Sequence, residues 1–172
     1  SGHKIYGPQG IGALIVKRRN YRKPPLEPIM RGGGHEGGLR PGTLPVALIA
    51  GLGKAAELAA EEYQERDTHN RKIRYSILER LQGVEHILIG DQNHVVSHTI
   101  SVAFPGKDSE ALILQLKDQV AISNGSACTS HSYEPSHVLT AMGLERETIE
   151  STVRVSWGGH SIKYLDDWPR SF

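Results

Sequence analysis

Several features that assign proteins to a class are scarce in this sequence. One cysteine in 172 residues cannot form an internal disulfide, and a lone thiol is typical of a reducing compartment. The 20 Lys and Arg residues balance the 19 Asp and Glu residues, so the formal charge of +1 gives no bulk attraction for nucleic acid or membrane surfaces. No apolar run approaches the ~20 residues of a membrane span, and no charged-then-apolar leader opens the chain. We therefore expect a cytoplasmic protein without a membrane partner or direct nucleic-acid binding.

Glycine, in contrast, is abundant and unevenly distributed. It accounts for 19 residues, and 12 of them lie within the first 53 positions. Residues 31–43 contain six glycines and a proline, which disfavour both a regular helix and a strand. Because glycine lets the backbone approach other atoms closely, this third of the chain is expected to contain loops built for tight contact.

The apolar pattern of the sequence predicts strands that alternate with helices, which is typical of an α/β layer arrangement. Strands are predicted over 11–16, 87–89, 100–104, 120–122 and 153–157. Helices are predicted from Thr43, as N-cap, to about residue 63, and over 70–82, 109–117 and 136–142. The length corresponds to about one domain.

Lys4 is the first candidate for chemistry. It follows Ser1, Gly2 and His3 and precedes a Gly-Pro turn at residues 7–10. Taken alone, such a lysine is more often a solvated loop residue. Hydroxyl and imidazole donors beside an amine, however, suit a site that holds a phosphate while the lysine forms a Schiff base with an aldehyde cofactor.

Cys128 and Arg154 are the other two candidates. A free cysteine is most often a buried small hydrophobe, but the small polar segment 123–132 around Cys128 offers little core. An accessible thiol there could act as a nucleophile. Arg154 lies among apolar residues of a predicted strand, where it must reach solvent or find an anion, and its planar fork binds carboxylates well.

A metal site is a competing interpretation of the cysteine segment. Cys128, His131 and His137 give the spacing C-x2-H-x5-H, and His98 could add a fourth ligand. Structural zinc sites use tighter, paired spacings. We therefore expect no metal.

Glycine-rich and basic stretches suggest further alternatives. The segments Gly32–Gly37 and Gly51–Gly53 imitate nucleotide-binding loops, but neither has the strand-turn-helix context that such loops require. The basic run Lys17–Lys23 could contact phosphates or an acidic partner. A solvated loop is the commoner outcome, because no base-stacking aromatics surround it.

Together the motifs resemble the cysteine desulfurases, fold-type I pyridoxal-phosphate (PLP) enzymes of the NifS and IscS kind. The motifs, in the order of the family, are Ser1-Gly-His-Lys-Ile-Tyr-Gly-Pro-Gln-Gly, Arg31-Gly-Gly-Gly-His-Glu, Ser126-Ala-Cys-Thr-Ser and Val153-Arg-Val-Ser-Trp-Gly. The resemblance implies the α/β fold of PLP-dependent transferases. Residues 1–45 would end the large PLP-binding domain, and residues 46–172 would form the small C-terminal domain with a mixed sheet and the cysteine loop. We expect the N-terminal half of the enzyme to lie outside this chain.

The resemblance assigns four residues to the cofactor. Lys4 matches the lysine that binds PLP covalently and later removes a substrate proton. Ser1 and His3 match residues that hold the PLP phosphate, and Thr43 matches one that reaches a phosphate from the partner subunit of a homodimer. The implied cofactor is therefore pyridoxal 5'-phosphate.

Two residues are assigned to the substrate, L-cysteine. Arg154 matches the arginine that binds its carboxylate. Cys128 matches the nucleophile that takes the substrate sulfur, leaves alanine, and passes the resulting persulfide to a sulfur-acceptor protein. Iron–sulfur assembly, tRNA thiolation and DNA phosphorothioation all use such sulfur. The sequence of the cysteine segment favours DNA phosphorothioation.

Other functions remain open from the sequence. A related PLP enzyme, such as a selenocysteine lyase or an aminotransferase, would not need Cys128, and an inactive fragment or docking module would bind no cofactor. The sequence also departs from the family at Glu36-Gly37-Gly38, at Pro41 and after Gly158, where the closing helix is replaced. We expect the segment alone to bind PLP poorly and to be inactive.

Overall fold

Two units make up the chain, Ser1–Tyr63 and Gln64–Phe172. The computed structural model describes residues 1–18, 20, 22, 24–124 and 135–159. Across these ranges, none of the helices combines the length and the apolar composition that crossing a bilayer requires. The domain division predicted at residues 45 and 46 concerns the intact enzyme and stays a prediction.

The first unit contains two short 3₁₀ helices, Gly2–Ile5 and His35–Gly38. The prediction of a strand over residues 11–16 is wrong, since the structure assigns no strand there and Leu14 and Ile15 are 78% and 93% exposed. A strand needs the N–H and C=O groups of a neighbour. The apolar run has no such neighbour among the described residues.

Helix α1, Val46–Arg80, is 35 residues long and continuous, whereas two helices were predicted. Residues 64–69 are polar but contain neither glycine nor proline, so nothing in them breaks the backbone hydrogen bonding. The prediction that Thr43 caps this helix is also wrong. The Ile49 N–H donates to Pro45 O at 3.1 Å, so helical hydrogen bonding begins at Pro45.

An antiparallel sheet lies in the second unit. Its strands are β1, Ile87–Leu88, β2, Thr99–Ala103, and β3, Thr152–Ser156, in the order β1-β2-β3. The strands predicted at these three places are confirmed with small shifts of their ends. Residues 120–122 were also predicted to form a strand, but the structure has none there. The next residue, Ser123, forms an isolated bridge with Arg154. Every pairing in the described part of this sheet is antiparallel, so the mixed sheet expected for the domain is not seen there.

The described part of the second unit also contains three short helices: α2, Ser109–Leu116, α3, His137–Ala141, and α4, Arg146–Glu150. The Asp108 carboxylate caps α2 by accepting the Ala111 N–H at 2.8 Å, and the helix predicted over 109–117 is confirmed. Helix α3 was also predicted. Helix α4 was not, because a five-residue segment with one buried apolar side chain, Ile149, shows no period.

The core of the second unit covers one face of the sheet. The buried side chains of this core come from α1, α2, β2 and β3 and from the residues directly after α1 and β2, which are Leu81 and Phe104. The four elements contribute Ile73, Ile77, Ile100, Val102, Leu112, Val153 and Val155. A smaller cluster of Ile89, Ala103, Leu139 and Ile149 includes a residue of the opposite face. Alternation along β2 and β3 therefore divides the side chains between two layers, and the predicted α/β class is confirmed.

Candidate functional site

Three of the predicted cofactor residues lie in one turn of backbone. Lys4 and His3 both belong to the 3₁₀ helix Gly2–Ile5, and Ser1 is the N-cap of that helix. The Lys4 N–H donates to Ser1 O at 3.2 Å, and the three side chains are exposed. A hydroxyl, an imidazole and a primary amine are thus presented within four successive residues.

Hydrogen bonds close this turn, which we name the Lys4 turn and define as residues 1–11. The Gly2 N–H donates to Ile11 O at 2.8 Å, and Gly2 O accepts the N–H groups of Tyr6 and Gly7, the latter at 2.9 Å. A Cβ on Gly2 would lie 3.0 Å from Pro8 O and from Ile11 Cγ2, so a side chain there would not fit. Tyr6 has φ 63°, a left-handed conformation that is uncommon for a residue other than glycine. The backbone that carries Lys4 is therefore tightly constrained.

The chemistry of the Lys4 turn fits a phosphate-bearing aldehyde such as PLP. A lysine amine condenses with an aldehyde, and hydroxyl and imidazole groups bind phosphate oxygens. Ser1, His3 and Lys4 are the residues of this chain that would hold the cofactor.

The glycine-rich loop forms a second tight segment of the first unit. In the 3₁₀ helix His35–Gly38, Glu36 and Gly37 have φ values of 54° and 66°. A Cβ on Gly32 would lie 2.9 Å from Pro41 Cβ, so the loop doubles back on itself there. Thr43 is exposed after this loop, in the residues that precede α1. Its predicted contact to a phosphate stays a prediction.

Arg154 lies in the middle of β3, and both of its backbone polar groups bond to Ser123. It stands opposite Ser101 of β2, while its N–H donates to Ser123 O at 2.5 Å and its C=O accepts the Ser123 N–H at 3.1 Å. Its neighbours Val153 and Val155 belong to the core, so the Arg154 side chain lies on the other face. Its Nε is buried and has no hydrogen-bond partner among the described residues. A buried guanidinium nitrogen without an acceptor is the chemistry expected of an anion site.

Cys128 lies outside the described residues, which leave out 125–134. Ser123, five positions earlier in the sequence, is fixed to Arg154 by the two backbone hydrogen bonds. In the sequence, the predicted nucleophile therefore follows the backbone partner of Arg154 after a short interval.

The second unit also contains a polar network that the sequence did not reveal. Arg74 of α1 is buried and donates to Thr99 O at 3.0 Å and to Gln92 Oε1 at 2.5 Å. Burial lowers the pKa of Arg74 below its ordinary value. Two turns earlier in α1, Asp67 accepts from Arg71 Nε at 2.7 Å. A charged residue at one position of a helical apolar stripe, here Arg74 next to Ile73, is the signal that could have indicated this network.

The described residues give little support to a metal site or to a nucleotide-binding loop. In the described part of the chain, no three His, Cys, Asp or Glu side chains come close enough to hold a metal ion. Of the proposed ligands, Cys128 and His131 lie outside the described residues, and His137 is exposed at the start of α3. Gly51 and Gly53 lie inside α1, which excludes the strand-turn-helix arrangement of a nucleotide loop.

Comparison with known protein families shows the family to which the chain belongs. The class-V aminotransferases match it over residues 1–162. The chain belongs to this family. Among curated class-V relatives, the cysteine desulfurase IscS of Neisseria meningitidis is 45% identical over 159 residues, which cover 92% of this chain and 39% of that protein. The chain thus spans about two-fifths of the length of the relatives it matches.

Solved structures of class-V relatives give the same result. DndA from Streptomyces lividans superposes with a TM-score of 0.75 and 41% identity, over 92% of this chain and 46% of that chain. A structure of SspA in complex with cysteine has a TM-score of 0.60 and 36% identity, over 91% of this chain and 42% of that chain. The resemblance to the cysteine desulfurases that the motifs predicted is confirmed.

The structure brings together some of the predicted site residues in this class-V chain. Ser1, His3 and Lys4 share the Lys4 turn, and Thr43 lies elsewhere in the same unit. Arg154 belongs to the second unit. Their roles toward cofactor and substrate stay predictions.

Proposed function

We propose that the protein containing this chain is a PLP-dependent cysteine desulfurase, which converts L-cysteine to alanine and carries the sulfur on Cys128 as a persulfide. The single observation that carries the proposal is the Nε of Arg154, which is buried and has no hydrogen-bond partner within the described part of the chain, on a strand bonded to Ser123. Relatives named cysteine desulfurase, and a relative whose structure contains cysteine, support the choice of substrate.

Arg154 would bind the substrate carboxylate. A guanidinium and a carboxylate form two parallel hydrogen bonds, and such charge-assisted bonds are stronger in a site with little water. The two backbone hydrogen bonds to Ser123 and the pairing of β3 with β2 keep this residue in place, so the bound carboxylate orients the rest of the amino acid. Orientation of this kind lowers the barrier of the chemical step.

Lys4 would bond to the cofactor and then move protons at its Nζ. PLP, when bound, supplies an electron sink for the substrate carbons. Ser1 and His3 would hold the phosphate through their hydroxyl and imidazole groups. Lys4 would take a proton from the substrate and return one, as general base and general acid.

Cys128 would accept the sulfur. Its Sγ forms an S–S bond with the substrate sulfur while the C–S bond of the substrate breaks. The electron pair of the C–S bond remains with carbon, which takes up one proton to become the methyl group of alanine. The proton lost by the Cys128 thiol balances that uptake. Two thiols thus become one persulfide, and the carbon is reduced.

The activity test uses the full-length protein with L-cysteine and PLP and measures alanine and sulfide. Lys4→Ala is expected to abolish alanine formation, and Cys128→Ser to abolish persulfide formation because serine cannot hold sulfane sulfur. Sulfur release that persists in Cys128→Ser would contradict the assignment of the nucleophile and favour the selenocysteine-lyase or aminotransferase alternative. Absence of any cofactor absorbance would favour the inactive docking module.

The role of Arg154 has a matched test. Arg154→Gln removes a charge-assisted interaction of about 1.5–3 kcal/mol, so KM for L-cysteine is expected to rise by about 10- to 100-fold. Arg146→Gln is the control, because Arg146 is exposed and pairs with Glu150 at 2.6 Å on α4. An equal change of KM in both variants would contradict a carboxylate site at Arg154.

We also propose a homodimer in which Thr43 reaches a phosphate of the partner subunit, and a protein as sulfur acceptor. Thr43 is exposed next to the glycine-rich loop, as a residue that contacts another subunit would be. Light scattering of the full-length protein tests the dimer, and capture with Cys128→Ser followed by mass spectrometry tests the acceptor. A monomer that binds PLP fully would contradict the role of Thr43.

A further inference from the structure

We propose that Gly51 of α1 is a positioning residue for Lys4, because the absence of a side chain at Gly51 is what lets the Lys4 turn lie against the helix. This inference rests on the proposed function, in which Lys4 bonds to the cofactor. It adds a residue to which neither the motifs nor the family resemblance gives a role.

Two contacts join the Lys4 turn to α1. A Cβ on Gly51 would lie 2.6 Å from Pro8 Cγ and 3.2 Å from Pro8 Cδ, so the proline ring occupies the place of a methyl group. A Cβ on Gly7 would lie 3.1 Å from Ala55 Cβ. Gly51 and Ala55 are four residues apart and therefore share one face of α1. The turn thus rests on a glycine and an alanine of that face.

Movement at Pro8 would be transmitted to Lys4 through the backbone. The proline ring fixes its own φ, so Pro8 cannot turn away from a new methyl group without moving the chain on either side. Pro8 follows Gly7, whose N–H is bonded to Gly2 O, and Gly2 is bonded to Ile11. A shift of Pro8 therefore displaces the 3₁₀ helix that carries Lys4.

Gly53 provides an internal control in the same helix. It lies two residues after Gly51 in α1, and a Cβ there would meet nothing within 4 Å. Both Gly51→Ala and Gly53→Ala remove a helix glycine, so both gain the same helix propensity. A difference between the two variants reports the contact with Pro8 and not the helix.

The experiment labels the full-length protein with pyridoxal 5'-phosphate, reduces the adduct with borohydride, and quantifies modified Lys4 by peptide mass spectrometry. Exposed Lys107 of the second unit is the reference lysine. The rate of Lys4 labelling in Gly51→Ala is expected to fall by about 10- to 100-fold, as for a reacting group displaced by about 1 Å. Gly53→Ala is expected to label like the unsubstituted protein, and Lys107 is expected to be unchanged in both.

Restoration by a second substitution separates positioning from general damage. In Gly51→Ala/Pro8→Ala the proline ring is gone and the new methyl group has room, so labelling of Lys4 is expected to recover relative to Gly51→Ala. Equal labelling in Gly51→Ala and Gly53→Ala would overturn the inference, as would a double variant no better than Gly51→Ala. If Lys4 is not labelled in the unsubstituted protein while Lys107 is, the proposed function itself fails.

Discussion

Asp67 shows how a single residue of this chain links acidity to stability. A hydrogen bond from the Ser97 hydroxyl, followed by the hydrogen bond and charge of Arg71, holds the pKa of Asp67 below its ordinary value of 3.8. A carboxyl whose pKa is lowered by folding stabilises the folded state when it is ionised. That contribution is present above pH 3.8 and is lost as the pH falls through the lowered pKa.

Asp67→Asn is therefore expected to lower the free energy of unfolding at neutral pH, since the amide replaces the charge that pairs with Arg71. The difference from the unsubstituted protein should shrink as the pH falls from 3.8 through the lowered pKa, below which the native carboxyl is also neutral. Urea unfolding at a series of pH values measures this. Asp118→Asn serves as the control because Asp118 is exposed. A difference that does not vary with pH would contradict the electrostatic explanation.

At the scale of elements, the cap of α2 offers a direct test. The Asp108 carboxylate accepts the Ala111 N–H, which would otherwise have no partner in the helix. Asp108→Ala is expected to lower the free energy of unfolding by about 1 kcal/mol. Asp108→Asn retains a side-chain acceptor and should lose much less. Equal losses for the two variants, measured by chemical denaturation, would show that the cap is not responsible.

Sequence reasoning succeeded where a helix carries its own capping residue, and it failed where an apolar run of strand-like composition has no partner strand among the described residues. Asp108 precedes its helix and provides its own cap, so α2 could be predicted closely. The apolar run 11–16 has the composition of a strand, but strand formation depends on a neighbouring strand that composition does not reveal.

The same distinction applies to the candidate site. Ser1, His3 and Lys4 are consecutive in a motif, so their proximity could be predicted from the sequence. The contact of Gly51 with Pro8 could not, because it joins residues that are 43 positions apart. The one sequence feature that indicates this contact is the four-residue spacing of Gly51 and Ala55, since small residues four apart mark a helix face that accepts close packing.

At the scale of the molecule, large apolar side chains are exposed in the first unit. Ile29 is fully exposed, and Leu14, Ile15 and Val46 are more than two-thirds exposed. The relatives that the chain matches are more than twice as long, so they contain further residues able to cover such side chains. Soluble monomers rarely expose extensive apolar surface.

The 172-residue chain by itself is therefore expected to bind a hydrophobic dye and to self-associate. Leu14→Ser/Ile15→Ser should reduce both effects, because the two substitutions replace side chains that are 78% and 93% exposed. Leu114→Ser in the second unit is the control, since Leu114 is 68% exposed on α2. Dye fluorescence and analytical ultracentrifugation measure the outcome. A chain that stays monomeric and binds no dye would contradict this expectation.

Because β1 has only two residues, two folded chains have little strand edge through which their sheets could pair. Strand β1 forms the outer edge of the sheet next to β2, and so short an edge has few free N–H and C=O groups to recruit a strand from another molecule. Beside β3, Ser123 already bonds to Arg154. Fibrils that grow by extending this sheet would therefore require the second unit to unfold first, so a ligand that keeps that unit folded should also protect the protein from amyloid.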